Sequence, residues 1–305
     1  MQFLYFLEGL RFPFLNDLML LITKLGEETA FLVAAIIVFW CVDKHKGYFV
    51  MTVGFLSTML NQFLKITFQV PRPWVIDPEF TIVEQAREAA TGFSFPSGHS
   101  TSAVATFGAI GVSSDRKCLR RICLAICILV PFSRMYLGVH TPMDVLTGAA
   151  TSLVLIYMLR RMSREIPERS MKDILVFELV LCGCILVYSG FFPFAIAETE
   201  LHNLQSAVKN GYTMLGSIVG IMVSYPLEKK YVKFDTKAVW WAQLLKIVLG
   251  LALVLAVKEG LRGPLDLVFG GHMVARSVRY ALVVVTAGVV WPATFRWFGK
   301  LGVKK

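Results

Sequence analysis

The sequence predicts an all-α integral membrane protein, a multi-span helical bundle with about nine transmembrane helices and an interfacial helix at its amino terminus. Of its 305 residues, 56% are hydrophobic and 17% are charged, and the mean hydropathy is +0.63. Soluble domains carry about 25% charged residues, so this composition indicates a membrane protein. Apolar runs recur at close to the roughly 20 residues that a helix needs to cross a bilayer. Basic residues collect in the short loops between these runs.

The first 25 residues differ from the spans that follow. Glu8, Arg11 and Asp17, together with Pro13, interrupt their apolar residues, while leucines recur at roughly helical spacing. This pattern favours an amphipathic helix that lies in the membrane interface over one that crosses the bilayer.

The predicted spans follow in sequence. They lie near 26–42, 48–68, 97–113, 118–136, 143–160, 173–192, 209–226, 239–257 and 276–296. We therefore divide the chain into an interfacial helix (1–25), a core with the first five spans (26–160) and a carboxyl-terminal extension of about four spans (161–305).

The basic residues also predict the orientation of the chain. They occupy alternate loops, at 44–46, 116–121, 160–169, 229–237 and 296–305. Short cytoplasmic loops carry an excess of Lys and Arg, so we expect the amino terminus outside and the carboxyl terminus inside. Because these loops account for most of the +10 formal charge, we expect no nucleic-acid partner.

A first polar cluster lies at the outer end of the second span. Lys65 is followed by Arg72, which stands between Pro71 and Pro73. The prolines end the helix, and the Arg72 guanidinium can then offer paired donors to phosphate oxygens while Lys65 offers a point charge. The alternative is a Lys and an Arg whose charged ends simply reach the interface.

A second cluster, Pro96-Ser97-Gly98-His99, opens the third span. Ser97 suits a helix N-cap, and Gly98 lets a ligand approach the backbone closely. The free N–H groups of a helix start attract phosphate, and His99 can donate a proton to a leaving oxygen. The alternative is an ordinary capped helix with an interfacial histidine.

The third cluster runs from Ser133-Arg134 to His140 and Asp144. On a helix, His140 and Asp144 share one face, so the carboxylate can accept a hydrogen bond from one imidazole nitrogen and leave the other free to attack phosphorus. Arg134 can reach the same phosphate across a turn at Gly138. The alternative is a His-Asp pair that only caps a helix. All three clusters fall on the predicted outer face, where polar groups near the membrane indicate a functional site.

In order and spacing, these clusters resemble the three signature motifs of the phosphatidic acid phosphatase type 2 superfamily, and no signature position departs from the pattern. The resemblance covers about residues 47–160. That superfamily includes lipid phosphate phosphatases, undecaprenyl pyrophosphate phosphatases, sphingosine-1-phosphate phosphatases, glucose-6-phosphatase and vanadium haloperoxidases. The resemblance implies a hydrolase of phosphoric monoesters or diphosphates that uses no metal and no cofactor.

The resemblance also implies a role for each residue. His140 is the nucleophile that forms a phosphohistidine, Asp144 orients it, and His99 protonates the leaving group. The phosphoryl oxygens would be held by Lys65, Arg72, Ser97, Gly98 and Arg134.

The expected substrate is a lipid phosphate or pyrophosphate whose tail stays in the bilayer, such as phosphatidic acid, phosphatidylglycerol phosphate or undecaprenyl pyrophosphate. The layout is also similar to glucose-6-phosphatase, which leaves a small soluble ester open. An anion transporter is a third interpretation, although the last four spans show no paired broken segments. A haloperoxidase is disfavoured, because the family's peroxidases are soluble.

The location and the role of the extension are less specified. The chain has no Asn-x-Ser/Thr acceptor and no dilysine signal, which favours a bacterial plasma membrane with the active site on the extracytoplasmic side. The last four spans could shape a lipid pocket, form an oligomer interface or carry a second function. Gly216 and Gly220 indicate either a close helix contact or the ordinary tolerance of membrane helices for glycine.

Overall fold

The computed structural model describes residues 1–164, 168–191 and 201–301. Within this part the chain is helical and contains no strand, so the predicted all-α class is confirmed. Lys304 and Lys305, which belong to the last basic segment predicted to be cytoplasmic, lie outside the described residues. The chain forms two compact units.

The first unit contains Met1–Ala35, Phe49–Arg164 and residues 201–207. The helices from the amino terminus onwards are α1 (Gln2–Glu8), α2 (Pro13–Thr23), α3 (Glu28–Ile37), α4 (Lys44–Phe68), α5 (Pro73–Ile76), α6 (Gly98–Ala103), α7 (Ala109–Ser113), α8 (Lys117–Tyr136) and α9 (Pro142–Leu159). A π-helical turn, Val104–Gly108, joins α6 to α7. The second unit takes residues 36–48 from α3, the turn after it and the start of α4.

The rest of the second unit consists of residues 168–191 and 208–301. The remaining helices are α10 (Glu168–Phe191), α11 (Leu201–Leu227), α12 (Trp240–Gly260), α13 (Arg262–Val268), α14 (Val274–Val285) and α15 (Phe295–Phe298). The first unit joins the amino-terminal residues to most of the predicted core, and the division into three domains stays a prediction.

Among the described residues, five helices are long and apolar enough to cross a membrane, and a sixth span results if a helix pair bent by 56° counts as one. All nine predicted spans overlap helices, but the count of nine stays a prediction. The predicted span at 97–113 is formed by α6, the π-helical turn and α7, which have 6, 5 and 5 residues. Together they are shorter than the roughly 20 residues of a full span. Helix α8 is 20 residues long and begins with basic residues.

The amino-terminal region forms two short helices rather than one. Pro13 occupies the first turn of α2, where its missing N–H costs no helix hydrogen bond. Leu4 is fully buried in a cluster with Phe80 and Ile82. Arg11 donates from Nε to the carbonyl of Tyr136 over 2.9 Å. These contacts fasten the first helices to the end of α8 and to the loop that follows α5. The interfacial position stays a prediction.

Close packing of α9 against α6 fixes the centre of the first unit. A side chain at Gly148 would lie 2.8 Å from the carbonyl oxygen of Ser97 and 2.7 Å from Oγ1 of Thr101. Only glycine therefore permits this approach. As a result, the start of α9 and the start of α6 lie side by side, and Ser97 donates its N–H to the carbonyl of Asp144 over 2.9 Å.

In the second unit, glycines of α11 meet α14. A Cβ at Gly216 would lie 2.1 Å from the carbonyl oxygen of Ser277, and one at Gly220 would lie 2.7 Å from Cβ of Val284. The predicted close helix contact at these glycines is confirmed. It shows that α11 and α14 pack backbone to backbone.

Candidate active site

The first cluster stands at the end of α4 and the start of α5. Lys65 is buried and donates from Nζ to the carbonyl of Phe93. Arg72 is the extended residue that precedes Pro73 at the start of α5, which directs its side chain away from the helix. The Arg72 guanidinium donates to the carbonyls of Thr91 over 2.8 Å and Gly92 over 3.1 Å. Both cations therefore hold the segment 91–93, which lies in the sequence between the first two clusters.

The second cluster forms the start of α6, as predicted. Ser97 is the N-cap, and its Oγ accepts hydrogen bonds from the backbone N–H of Ser100 over 3.4 Å and from the Ser100 hydroxyl over 2.9 Å. The peptide bond between Phe95 and Pro96 is cis. A side chain at Gly98 would meet only Oδ1 of Asn61, at 3.9 Å. Nothing therefore crowds the position that a Cβ would take at Gly98.

Arg134 lies on the last turn of α8 and is fully buried. Its Nη1 donates to Oγ1 of Thr23 over 2.9 Å. Its Nε and Nη2 are buried and have no hydrogen-bond partner among the described residues, and the same holds for Nε2 of His99. A buried donor without an acceptor costs about 1–3 kcal/mol, so these groups suit an anionic ligand that accepts from them.

His140 lies in the turn between α8 and α9, and Asp144 lies in the first turn of α9. Nδ1 of His140 is 3.5 Å from Oδ2 of Asp144, and Nη1 of Arg72 is 2.9 Å from Nε2 of His140. Nη1 of Arg72 also lies 3.5 Å from Nδ1, so the ring is held between the guanidinium and the carboxylate. A tautomer with the proton on Nδ1 would direct that proton towards Asp144 and leave Nε2 as the acceptor towards Arg72.

The predicted direct hydrogen bond between His140 and Asp144 is longer than expected, since such bonds measure about 2.7–3.2 Å. The reason is that Asp144 has closer partners. Its Oδ2 accepts from the Ser94 hydroxyl over 2.6 Å and from the Thr141 N–H over 2.8 Å. Asp144 and Thr141 form a capping box at the start of α9. The structure thus gives Asp144 the capping contact of the alternative interpretation, and its role in orienting the histidine stays a prediction.

Two further residues of the site were not predicted. Ser94 is fully buried and donates to Asp144. Asn61 is buried and donates from Nδ2 to the Pro96 carbonyl over 3.2 Å and to Oγ1 of Thr101 over 3.0 Å, which holds the start of α6. The available signal for Asn61 was an amide side chain within a predicted membrane span. The sequence carries none for Ser94.

All eight predicted site residues lie in the first unit. Its buried polar residues include Lys65, Arg72, Arg134 and His140, with Asp144 as the carboxylate that contacts the histidine. Burial of the ring, and then the charges of Arg72 and Arg134, hold the pKa of His140 well below its ordinary value. The imidazole is therefore neutral near pH 7, as a nucleophile must be. The excess of buried positive charge suits a doubly charged anion.

Metal ligation is the other way in which proteins neutralise phosphate. Within the described ranges, no three His, Cys, Asp or Glu side chains come together as metal ligands would. The site supplies arginine and lysine donors, which are able to donate hydrogen bonds to phosphate oxygens directly.

Two family models match parts of this chain. Residues 46–167 match the family model of the PAP2 superfamily, and residues 212–303 match the model described as PAP2 superfamily phosphatase, transmembrane extension. No solved structure matches the chain.

Three curated relatives are similar to this chain. Phosphatidylglycerophosphatase B of Bacillus subtilis is 30% identical over 173 residues, which cover 52% of this chain and 79% of the relative. The probable sphingosine-1-phosphate phosphatase of Dictyostelium discoideum is 31% identical over 163 residues, covering 49% of this chain and 39% of the relative. Undecaprenyl-diphosphatase BcrC of Bacillus subtilis is 28% identical over 120 residues, covering 39% and 58%.

The chain belongs to the PAP2 superfamily, which is the predicted phosphatidic acid phosphatase type 2 superfamily. The predictions of an integral membrane protein and of a phosphatase are thereby confirmed. The role of each site residue stays a prediction.

Proposed function

We propose that this protein is a metal-independent membrane phosphatase that hydrolyses a lipid phosphate monoester or pyrophosphate through a phosphohistidine on His140. The observation that carries the proposal is the contact of Arg72 Nη1 with His140 Nε2, at 2.9 Å. In this contact a guanidinium, a group suited to binding phosphate, lies beside the nitrogen that we propose attacks phosphorus. The names of the three relatives, all enzymes acting on lipid phosphates, support the substrate class.

The phosphate group binds first. Its oxygens accept from Arg72 and Lys65, which otherwise donate to loop carbonyls, and from Nε and Nη2 of Arg134. The N–H groups at the start of α6 face the same ligand beside Gly98. These donors are fixed before the ligand arrives, so they stabilise the charge that develops on the equatorial oxygens.

The chemistry then takes two steps. Nε2 of His140 attacks phosphorus, the bond from phosphorus to the leaving oxygen breaks, and His99 gives that oxygen a proton. The phosphorylated imidazole is cationic, and Asp144 lies 3.5 Å from its Nδ1–H. In the second step His99 takes a proton from water, the water oxygen attacks phosphorus, and the bond to Nε2 breaks. Inorganic phosphate and neutral His140 result.

The substrate headgroup has to enter a closed site. Lys65, Arg72, Arg134 and His140 are all buried, and the loop segment 91–93 occupies donors that the phosphate needs. We propose that a lipid places its phosphate here from the outer leaflet while its chains stay in the bilayer. The charge distribution in the loops supports this orientation.

A phosphate-release panel tests the substrate class. The purified full chain in detergent is offered phosphatidylglycerol phosphate, phosphatidic acid, undecaprenyl pyrophosphate, sphingosine-1-phosphate and glucose-6-phosphate. We expect the specificity constant for one of the lipids to exceed that for glucose-6-phosphate at least 100-fold. Equal or faster turnover of glucose-6-phosphate would replace the lipid proposal with a soluble ester.

A further inference from the structure

A basic cavity lies in the second unit, which contains none of the residues assigned to catalysis. It has a volume of about 340 Å³ and is bordered by residues of α11, α12, α13 and α14. Its cations are Lys209, Lys258, Arg262, Arg276 and Arg279, and its acids are Glu259 and Asp266. Every one of these residues belongs to the second unit, whereas His140 belongs to the first.

Arg279 is the buried member of this cavity. Its residue is 9% exposed, and its Nε is buried with no hydrogen-bond partner among the described residues. The guanidinium carbon lies 5.6 Å from the centre of the Tyr280 ring, which Arg276 also approaches, at 5.4 Å. Arg276 in turn donates from Nε to Oγ1 of Thr213. Two guanidinium groups are thus held around one aromatic ring, and one of them keeps an unused donor.

The charges around the cavity do not balance. Of the two acids, Glu259 lies 3.6 Å from Lys258, and the structure gives no ion pair between either acid and Arg279. A buried guanidinium without a paired anion is costly, so the arrangement favours an anionic ligand. A guanidinium group can donate two parallel hydrogen bonds to two oxygens of a phosphate. The volume of the cavity is large enough for a phosphorylated headgroup.

Exposed apolar residues adjoin this charged region. Leu267 is 85% exposed and Val268 is 77% exposed, both at the end of α13, and the cavity takes Arg262 and Asp266 from the same helix. Phosphate donors beside exposed apolar side chains fit an amphiphile whose charged and apolar parts are joined.

We propose that this cavity is a second phosphate-binding site, which takes either the phosphate of an anionic lipid headgroup or inorganic phosphate. It would give the carboxyl-terminal extension a ligand of its own. The site requires no chemistry at His140, so its existence does not depend on the proposed function.

Hydrogen–deuterium exchange of the full chain, read by mass spectrometry, tests this proposal. The chain carries His140→Ala so that no ligand is hydrolysed. The probes are inorganic phosphate and dihexanoyl phosphatidic acid, with dihexanoyl glycerol as the lipid that lacks a phosphate. We expect phosphatidic acid to slow exchange in peptides covering residues 258–280. If inorganic phosphate does the same, the phosphate alone is recognised, and if it does not, the lipid headgroup is the ligand.

Matched variants locate the effect. Lys209→Gln with Arg262→Gln removes two exposed cations of the cavity, and Arg279→Gln removes the buried one. We expect each of these variants to raise the dissociation constant of the phosphate probe at least tenfold. The control, Lys230→Gln with Lys237→Gln, removes two exposed cations elsewhere in the same unit and should change that constant less than twofold. Exchange without ligand reports whether each variant is folded, and the exposed pair keeps the test valid if Arg279→Gln is not.

Several results would overturn the proposal. They are no protection of 258–280 by either phosphate probe, equal protection by dihexanoyl glycerol, or an equal loss of binding in the control pair. Peptides of the first unit that cover 65–72 and 134–144 report the active site in the same experiment. Failure there would count against the proposed function and not against the second site.

Discussion

The guanidinium of Arg72 lies against His140, with Nη1 at 2.9 Å from Nε2, and the same nitrogen donates to the carbonyl of Val139 over 3.0 Å. One side chain thus fixes the imidazole, the turn that carries it and, through Nη2, the segment at Thr91. A single set of hydrogen bonds therefore positions both the proposed nucleophile and its proposed phosphate-binding partner.

The two histidines should respond differently to the leaving group. His140→Ala removes the proposed nucleophile, so activity should fall by roughly three orders of magnitude or more on every substrate. His99→Ala should cost far less with p-nitrophenyl phosphate than with an alkyl phosphate, because p-nitrophenolate leaves without a proton. Steady-state rates of both variants on both substrates measure this, and equal losses for His99→Ala would move the acid role to another residue. A rapid quench into alkaline detergent with ³²P-labelled substrate should trap a phosphoenzyme in the parent chain but not in His140→Ala, because a phosphohistidine is stable in base and hydrolyses in acid.

The pKa of His140 should lie well below the ordinary value for histidine. Burial, and then the cations around the ring, lower its pKa well below the ordinary 6.5. Between that lowered pKa and 6.5 the folded ring stays neutral while the unfolded chain binds a proton, so His140 contributes a loss of stability as the pH falls through this window. NMR of ¹⁵N-histidine-labelled protein measures the titration, and His140→Ala identifies the resonance. A midpoint at or above 6.5 would contradict the shift.

Ser94 should act on turnover through Asp144. Its hydroxyl donates to a carboxylate oxygen over 2.6 Å, and such bonds to charged groups are worth about 1.5–3 kcal/mol. If Ser94→Ala lets Asp144 move away from His140, kcat should fall about 10- to 100-fold with little change in KM. Ser189→Ala is the matched control, because Ser189 is buried but bonds only within its own helix. An effect on KM alone, or the same loss in the control, would leave Ser94 with a merely structural part.

Chelators should leave the enzyme active. Lys65, Arg72 and Arg134 provide the positive charge that a metal would otherwise bring to phosphate, so excess EDTA should reduce the rate less than twofold. Vanadate can adopt the trigonal-bipyramidal geometry of the transferring phosphoryl group and should compete with substrate. Activity that EDTA abolishes and magnesium restores would exclude the mechanism proposed for His140.

The orientation predicted from the basic loops can be tested by labelling. Glu84 and Arg164 are both exposed, and they lie in loops assigned to opposite sides of the membrane. Because Cys118 and Cys184 are also exposed, the cysteines are introduced into a cysteine-free chain. A membrane-impermeant maleimide should label Glu84→Cys in intact cells and Arg164→Cys only after permeabilisation. Labelling of both from outside would contradict the orientation.

Much of this architecture could be predicted because it follows from local pattern. The prolines around Arg72, the capping serine at position 97 and the spacing of His140 to Asp144 each specify a helix end, and the structure has a helix end at each. What could not be predicted is which polar atoms meet across long distances in the chain. Ser94 reaches Asp144 through tertiary packing alone, and nothing in its own neighbourhood marks it.

The number of spans was harder to predict for a related reason. Apolar composition indicates that a segment is buried, but it does not separate burial in lipid from burial in protein. The segment from α6 to α7 packs against α8 and α9, which accounts for its apolar residues without any contact with lipid. Its three parts, of 6, 5 and 5 residues, are together shorter than a full span. Hydropathy alone therefore does not decide whether such a segment crosses the bilayer.

The carbonyls of Thr91, Gly92 and Phe93 are neutral acceptors for Lys65 and Arg72. A carboxylate in the same positions would neutralise the cation that it contacts, and a substrate would have to displace it against a full Coulomb attraction. A carbonyl satisfies the donor and leaves the charge in place, so an incoming dianion would exchange with a weaker ligand. Under the proposed function, the segment 91–93 competes with the substrate for these donors, and a change in its backbone position should alter affinity for phosphate without altering the residues proposed to cleave it.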